Sequence, residues 1–150
     1  MGKLILGVLT TALLAAGCAG TPARDGSEVR GSIAGLALSM VGVQYRYGGA
    51  DPGEGFDCSG LVYYAYASNG HIVPRTSRAQ FDAARKIPLA DAAEGDLLFF
   101  QDQDNLSHVG LYLGDGRFVH APSSGDTVRV ARVDTPYYRR NLVAVGRLLP

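Results

Sequence analysis

The chain is poor in several things at once, and each shortage narrows what it does. Only two cysteines, Cys18 and Cys58, occur in 150 residues, so at most one disulfide is available and a disulfide-stapled scaffold is excluded. Acidic and basic side chains balance at 14 each. No basic run or patch is present to track a phosphate backbone, which argues against nucleic-acid binding. No apolar run reaches the roughly 18 to 20 residues that a membrane-crossing helix needs. Internal repeats and low-complexity tracts are also missing, so a solenoid or a long disordered region is not expected. What remains, 47% hydrophobic and 19% charged, is the composition of one globular domain large enough to bury a core.

The first residues differ in kind from the rest. Lys3 precedes a mostly apolar stretch from Leu4 to Ala16, the charge pattern and length of an export signal. Ala15-Ala16-Gly17-Cys18 resembles a lipobox, in which the cysteine is lipidated and becomes the mature N-terminus. The expected organisation is a signal peptide at 1–17, a lipidated end and short tether at 18–27, and a domain at 28–150. With Cys18 lipidated, Cys58 is the sole free thiol in an oxidising compartment, which marks it as a reactive group.

Apolar residues at helical spacing predict a helix from Ser27 to Val41, with Ser27 as N-cap. Tyr45 to Gly55 reads as a glycine-rich loop. A second helix is expected from Cys58 to Ser68, capped by Asp57 and ended by Asn69-Gly70, and a third from Thr76 to Lys86. After Gly95 the pattern changes to short runs of Val, Leu, Phe and Tyr between turn residues: 96–100, 108–113, 117–121, 127–133 and 143–149. Helices followed by a meander of strands imply an α+β fold.

The chemistry concentrates at Cys58. A thiol at a helix start faces unpaired N–H groups and the positive end of the dipole, which favour its thiolate and suit an oxyanion. Small neighbours, Ser59 and Gly60, leave room for a substrate backbone. Two histidines follow on paired strands. With a turn centred near Gly114–Asp115, His108 is expected opposite residue 120 or 121, so that His108 and His120 share one face while Val109, Leu111, Leu113 and Val119 fill the other. His108 then serves as base for the thiol and His120 orients its ring. Zinc binding by Cys58, His108 and His120 is the competing use of these residues, and it lacks the local ligand pair such sites carry. No metal or cofactor is expected. Tyr45, with Tyr47 as its rival, precedes the thiol on the loop and offers a hydroxyl for an oxyanion or substrate carbonyl. Asp57 and Ser59 flank the thiol, and Arg75 suits a substrate carboxylate. His71 reads as structural, and Tyr63, Tyr64 and Tyr66 as packing.

Six blocks in order carry a resemblance: Tyr45-Arg46-Tyr47-Gly48-Gly49, Asp57-Cys58-Ser59-Gly60-Leu61-Val62, Pro74-Arg75-Thr76-Ser77, Gly95-Asp96-Leu97-Leu98-Phe99-Phe100, Ser107-His108-Val109-Gly110 and Phe118-Val119-His120-Ala121. Over roughly residues 30–149 the chain resembles the NlpC-type cell-wall peptidases, papain-like murein endopeptidases. The resemblance implies a compact α+β domain with helices packed on a five- to six-stranded antiparallel sheet. It puts the nucleophile at Cys58, the base at His108, the third polar residue at His120 and the site tyrosine at Tyr45. It implies hydrolysis of peptidoglycan stem peptides, at the γ-D-Glu–diaminopimelate bond or the D-Ala–diaminopimelate cross-link. A monomer lipid-anchored at the periplasmic face of the outer membrane is the matching expectation. Two other functions fit the residues: another thiol acyl-transfer enzyme on the same scaffold, and a non-catalytic wall-binding lipoprotein.

Overall fold

The computed structural model of the protein describes residues 25–103 and 105–150. The expected signal peptide, Cys18 with its expected lipidation, and most of the expected tether lie outside the described residues. Helix α1 spans Gly26–Ser39, and the short strands β1 (Ala50–Asp51) and β2 (Gly55–Phe56) pair within the glycine-rich stretch that was expected to be all loop. Helices α2 (Cys58–Ala67) and α3 (Ser77–Ala83) follow, then β3 (Arg85–Ile87), β4 (Leu97–Asp102), β5 (Asn105–Gly114), β6 (Arg117–His120), β7 (Arg129–Arg132), α4 (Pro136–Asn141) and β8 (Leu142–Arg147). The six longer strands form one antiparallel sheet in the order β3-β8-β4-β5-β6-β7. The α+β architecture expected from the sequence is the one observed.

Strand β4 shows why the sheet is central. Leu97, Leu98, Phe99 and Phe100 are all buried, so this run has no solvent face and both sides must be covered. Leu97 and Phe99 join Val109, Leu111, Leu113 and Val119 beneath α1 and α2, which contribute Ile33, Ala34, Ala37, Leu61, Val62, Ala65 and Tyr66. Leu98 and Phe100 face the other way, with Tyr112, Phe118, Val133 and Val145, and α4 covers them through Tyr138. Burying each large side chain contributes about 1.5–3 kcal/mol, so both layers hold the sheet that carries the histidines.

Two helix boundaries and one further helix differ from the sequence reading for local reasons. The cap of α1 is Asp25, one turn-start earlier than Ser27, whose hydroxyl instead donates to the Asp25 carboxylate at 2.7 Å. Helix α3 stops at Ala83, because Ala84 turns extended and Arg85–Ile87 is drawn into the sheet edge beside β8. Helix α4 was not anticipated; its signal is Thr135 at the N-cap with Pro136 at the first helical position.

The hairpin between β5 and β6 is displaced from the expected register. Gly114, Asp115 and Gly116 all take positive φ (83°, 51° and 71°), and a bulge follows Tyr112, so that Tyr112 pairs with Phe118 and Leu111 with Val119. His120 therefore stands diagonal to His108 and not directly across from it. Counted from the expected pairing of 108 with 120 the shift is two residues in the pairing sum, so the shared face is kept; direct pairing of 108 with 121, the other expected register, would have separated the rings.

Candidate active site

Asp57 organises the thiol side. Its Oδ1 accepts from the Gly60 amide at 2.6 Å, which caps α2, and its Oδ2 accepts from the Gly48 amide at 2.9 Å. The Arg75 guanidinium donates to both carboxylate oxygens, each at 2.9 Å, and also to Ser59 Oγ and the Gly49 carbonyl. Such a fork-to-carboxylate pair is geometrically exacting. The fork is engaged within the protein, so Arg75 holds the loop against the helix, and its side chain also lines the cavity over the thiol. Gly60 completes the junction. A Cβ there would lie 1.9 Å from the Gly49 carbonyl oxygen, so no other residue fits. Gln80, wholly buried, donates to the Ser59 and Pro74 carbonyls at 3.0 and 2.8 Å and fixes the same turn from below.

Cys58 is thus the first residue of a helix whose entry is clamped on three sides. The thiol is free and half-buried. Burial pushes its pKa up and the Asp57 carboxylate adds to this, while the Val109, Ser59 and Cys58 amides pull the other way. The resting group is therefore a neutral thiol that needs a base. The Val109 amide is informative as a neighbour, because Val109 directly follows His108. A cavity of about 480 Å³ opens over the thiol, lined by Tyr45, Asp57, Ser59, Arg75 and Ser107 among others. Tyr45 lines the same cavity, its hydroxyl pushed further toward the protonated form by burial first, with the Asp57 carboxylate adding to this. Tyr47 is almost fully exposed at 89% on the same cavity's rim.

The histidine side is built from four separate elements. His108 Nε2 and His120 Nδ1 are 2.7 Å apart, and His120 Nε2 lies 3.3 Å from the Tyr138 hydroxyl. The His120 and Tyr138 rings meet edge to face at 5.5 Å, and Tyr138 packs likewise on Phe100 and Phe118. Gly110, opposite this cluster, is required because a Cβ would come within 2.5 Å of the Phe118 ring. Burial lowers the His108 pKa to about 4. Burial first, then His108 and Arg129, lowers that of His120 to about 3. Both rings are neutral at pH 7, the state in which an imidazole can accept a proton. A second cavity, of about 350 Å³, is lined by His108, His120, Tyr138, Arg129 and Asp102 and shares Ser107 with the first.

Cys58 and His108 are the ends of two separate networks, with no hydrogen bond between their side chains among the described residues. With His108 Nε2 occupied by His120, Nδ1 is the ring nitrogen left for the thiol. His71 joins neither network. Tyr138 and Arg129 were missed by sequence reading. The only available cue was the Thr135-Pro136 helix start, which gives no hint of a neighbour 18 residues upstream. Among the described residues no group of three His, Cys, Asp or Glu side chains is arranged to hold a metal ion.

The NlpC/P60 family model matches residues 42–147, a span that holds both networks. The murein DD-endopeptidase MepH of Escherichia coli is 36% identical over 117 residues, covering 75% of this chain and 43% of that protein. The bifunctional muramidase/DL-endopeptidase CwlT of Bacillus subtilis is 39% identical over 115 residues, covering 75% of this chain and 34% of that protein. The crystal structure of a lipoprotein-like NLP/P60 protein from Staphylococcus aureus superposes with a TM-score of 0.74 at 33% identity, covering 89% of this chain and 45% of that one. The chain spans less than half the length of these relatives. A capped helix carrying the thiol, a six-stranded sheet carrying two bonded histidines, and a match over most of the chain agree: this protein belongs to the NlpC/P60 family.

Proposed function

We propose that the chain is a cysteine endopeptidase that hydrolyses amide bonds in peptidoglycan stem peptides. The observation that carries the proposal is a free thiol at the start of α2 lining a cavity that meets, at Ser107, the cavity of a histidine whose Nε2 is held by a second histidine. The names of MepH and CwlT support the substrate class.

Cys58 gives its proton to His108 Nδ1, and Sγ adds to the amide carbonyl carbon. The tetrahedral oxyanion is met by amide N–H groups at the start of α2, with the Tyr45 hydroxyl across the cavity. On collapse the C–N bond breaks, the proton on His108 passes to the leaving amine, and a Cys58 thioester remains. Water, deprotonated by the same imidazole, then releases the acid and restores the thiol. Because the leaving amine takes its proton from His108, the leaving half of the substrate belongs in the histidine cavity and the acyl half in the thiol cavity. Asp102 and Arg129 on the histidine cavity place one negative and one positive group there. That arrangement suits the amino- and carboxylate-bearing end of diaminopimelate, in either the γ-D-Glu–diaminopimelate bond or the D-Ala–diaminopimelate cross-link.

Export, lipidation at Cys18, residence at the periplasmic face of the outer membrane and a monomeric state complete this reading on the sequence alone. The test is the loss of turbidity of purified cell-wall sacculi. Wild-type protein is expected to clear them, and a folded Cys58→Ala variant to leave them intact; clearing by Cys58→Ala would remove the thiol from the mechanism.

A further inference from the structure

Tyr138 is the residue on the histidine side that the mechanism above does not use. We infer that Tyr138 is a positioning residue: its hydroxyl oxygen, by accepting a hydrogen bond from His120, selects the tautomer in which His108 can act as a base. The inference deepens the proposed peptidase reading and rests on it.

Two contacts fix where the protons sit, His108 Nε2 to His120 Nδ1 and His120 Nε2 to the Tyr138 hydroxyl. An imidazole takes the thiol proton only at a nitrogen bearing a lone pair. For His108 that nitrogen is Nδ1, since Nε2 is 2.7 Å from His120 Nδ1. A lone pair on Nδ1 requires the neutral ring to carry its hydrogen on Nε2, which then donates to His120 Nδ1. His120, having accepted at Nδ1, must carry its own hydrogen on Nε2. The group within reach of that hydrogen is the Tyr138 hydroxyl, 3.3 Å away. If the phenol donated instead, every tautomer in the chain would reverse and His108 Nδ1 would already hold a proton.

Arg129 sets the direction. It lies in register with His120 on the neighbouring strand, and its positive charge acts on both His120 and Tyr138. A guanidinium has no acceptor, so the phenol cannot donate to it. A cation beside the oxygen attracts one lone pair and repels the O–H, and the second lone pair accepts from the His120 Nε2–H. The hydroxyl hydrogen then points into the cavity of about 350 Å³ that Tyr138 lines. The same charge opposes protonation of His120, so a proton received from the thiol stays on His108, next to the leaving amine. The groups facing this relay are Cys58 on α2, Asp102 on β4, His120 on β6, Arg129 on β7 with its partner Asp126, and Tyr138 on α4.

The test is ¹⁵N NMR of the histidine rings in the full chain at pH 7 without substrate, comparing wild type with Tyr138→Phe. Phenylalanine keeps the ring contacts with Phe100, Phe118 and His120, so the fold is expected to stand. The wild type should show His108 protonated at Nε2, and Tyr138→Phe a mixture of the two tautomers. With a muropeptide substrate, kcat should fall about threefold to tenfold, the loss of one hydrogen bond, with KM unchanged. Tyr138→Leu, which also removes the ring, should lower stability further with no larger change in tautomer. Unaltered ring-nitrogen shifts in Tyr138→Phe would overturn the inference, as would altered shifts with an unaltered kcat. Because the tautomer is read without substrate, a wild type that shows the relay and cleaves no muropeptide would refute the peptidase reading while leaving the relay in place.

Discussion

The thiol side and the histidine side of the cleft are held by opposite strategies. On the thiol side one carboxylate, Asp57, gathers a helix cap, a loop amide and a bidentate arginine, all polar and all close to Cys58 in the chain or bound to its flanks. On the histidine side the rings of His108 and His120 are fixed by aromatic packing against Phe100, Phe118 and Tyr138, drawn from β4, β6 and α4. The first is a hydrogen-bonded clamp that positions a group needing to be partly exposed. The second is an apolar socket that strips water from two bases and so keeps them neutral. The proposed nucleophile and the proposed base are thus held separately, and their cavities meet at Ser107.

This contrast makes its own predictions, the largest concerning the two reacting groups. His108→Ala is expected to lower kcat by about three orders of magnitude or more while the protein stays folded, because the neutral thiol then has no proton acceptor; steady-state hydrolysis of a muropeptide checks it. Breaking the clamp comes next. Gly60→Ala drives a methyl into the Gly49 carbonyl and should cost about 3 kcal/mol or more in denaturant unfolding. Asp57→Ala leaves the half-buried Arg75 fork without its partner and α2 without its cap, and should cost about 2–4 kcal/mol in the same measurement.

Acid should attack the other side. The histidines titrate at about 4 and about 3 in the fold, against about 6.5 when unfolded. Between those values the unfolded chain binds protons that the folded chain refuses. Stability is therefore full above pH 6.5 and falls as pH drops toward 4, by on the order of a few kcal/mol. Unfolding midpoints from pH 7.5 to 4.5 measure this, and His120→Gln should flatten the slope. The smallest effect is expected from Arg129→Gln. Relieving one positive neighbour should raise the His120 pKa slightly, visible as a shift of its NMR titration, with little change in stability.

The two sides also differed in how far the sequence revealed them. Asp57 as cap, Cys58 at the helix start and the shared face of His108 and His120 were all legible, because each follows from spacing within one helix or one hairpin. The diagonal register was not, since it depends on three successive positive-φ residues whose bulge no alternation pattern encodes. The pairing of Arg75 with Asp57 was not legible because the two lie 18 residues apart across a loop. Strand β3 was absorbed into a helix because Arg85-Lys86-Ile87 is strand only by pairing with β8 at the far end of the chain. Tyr138 and Arg129 were invisible for the same reason: their meaning lies in what β6 brings beside them.

The most direct test of the account is mass spectrometry of purified muropeptides digested by the protein in ¹⁸O-labelled water, beside its Cys58→Ala variant. The account predicts pairs of fragments that end within the stem peptide, one carrying a new amine and the other a new carboxyl with a single ¹⁸O, and none from Cys58→Ala. Fragments cut only in the glycan, or stem-peptide products that persist without the thiol, would contradict it.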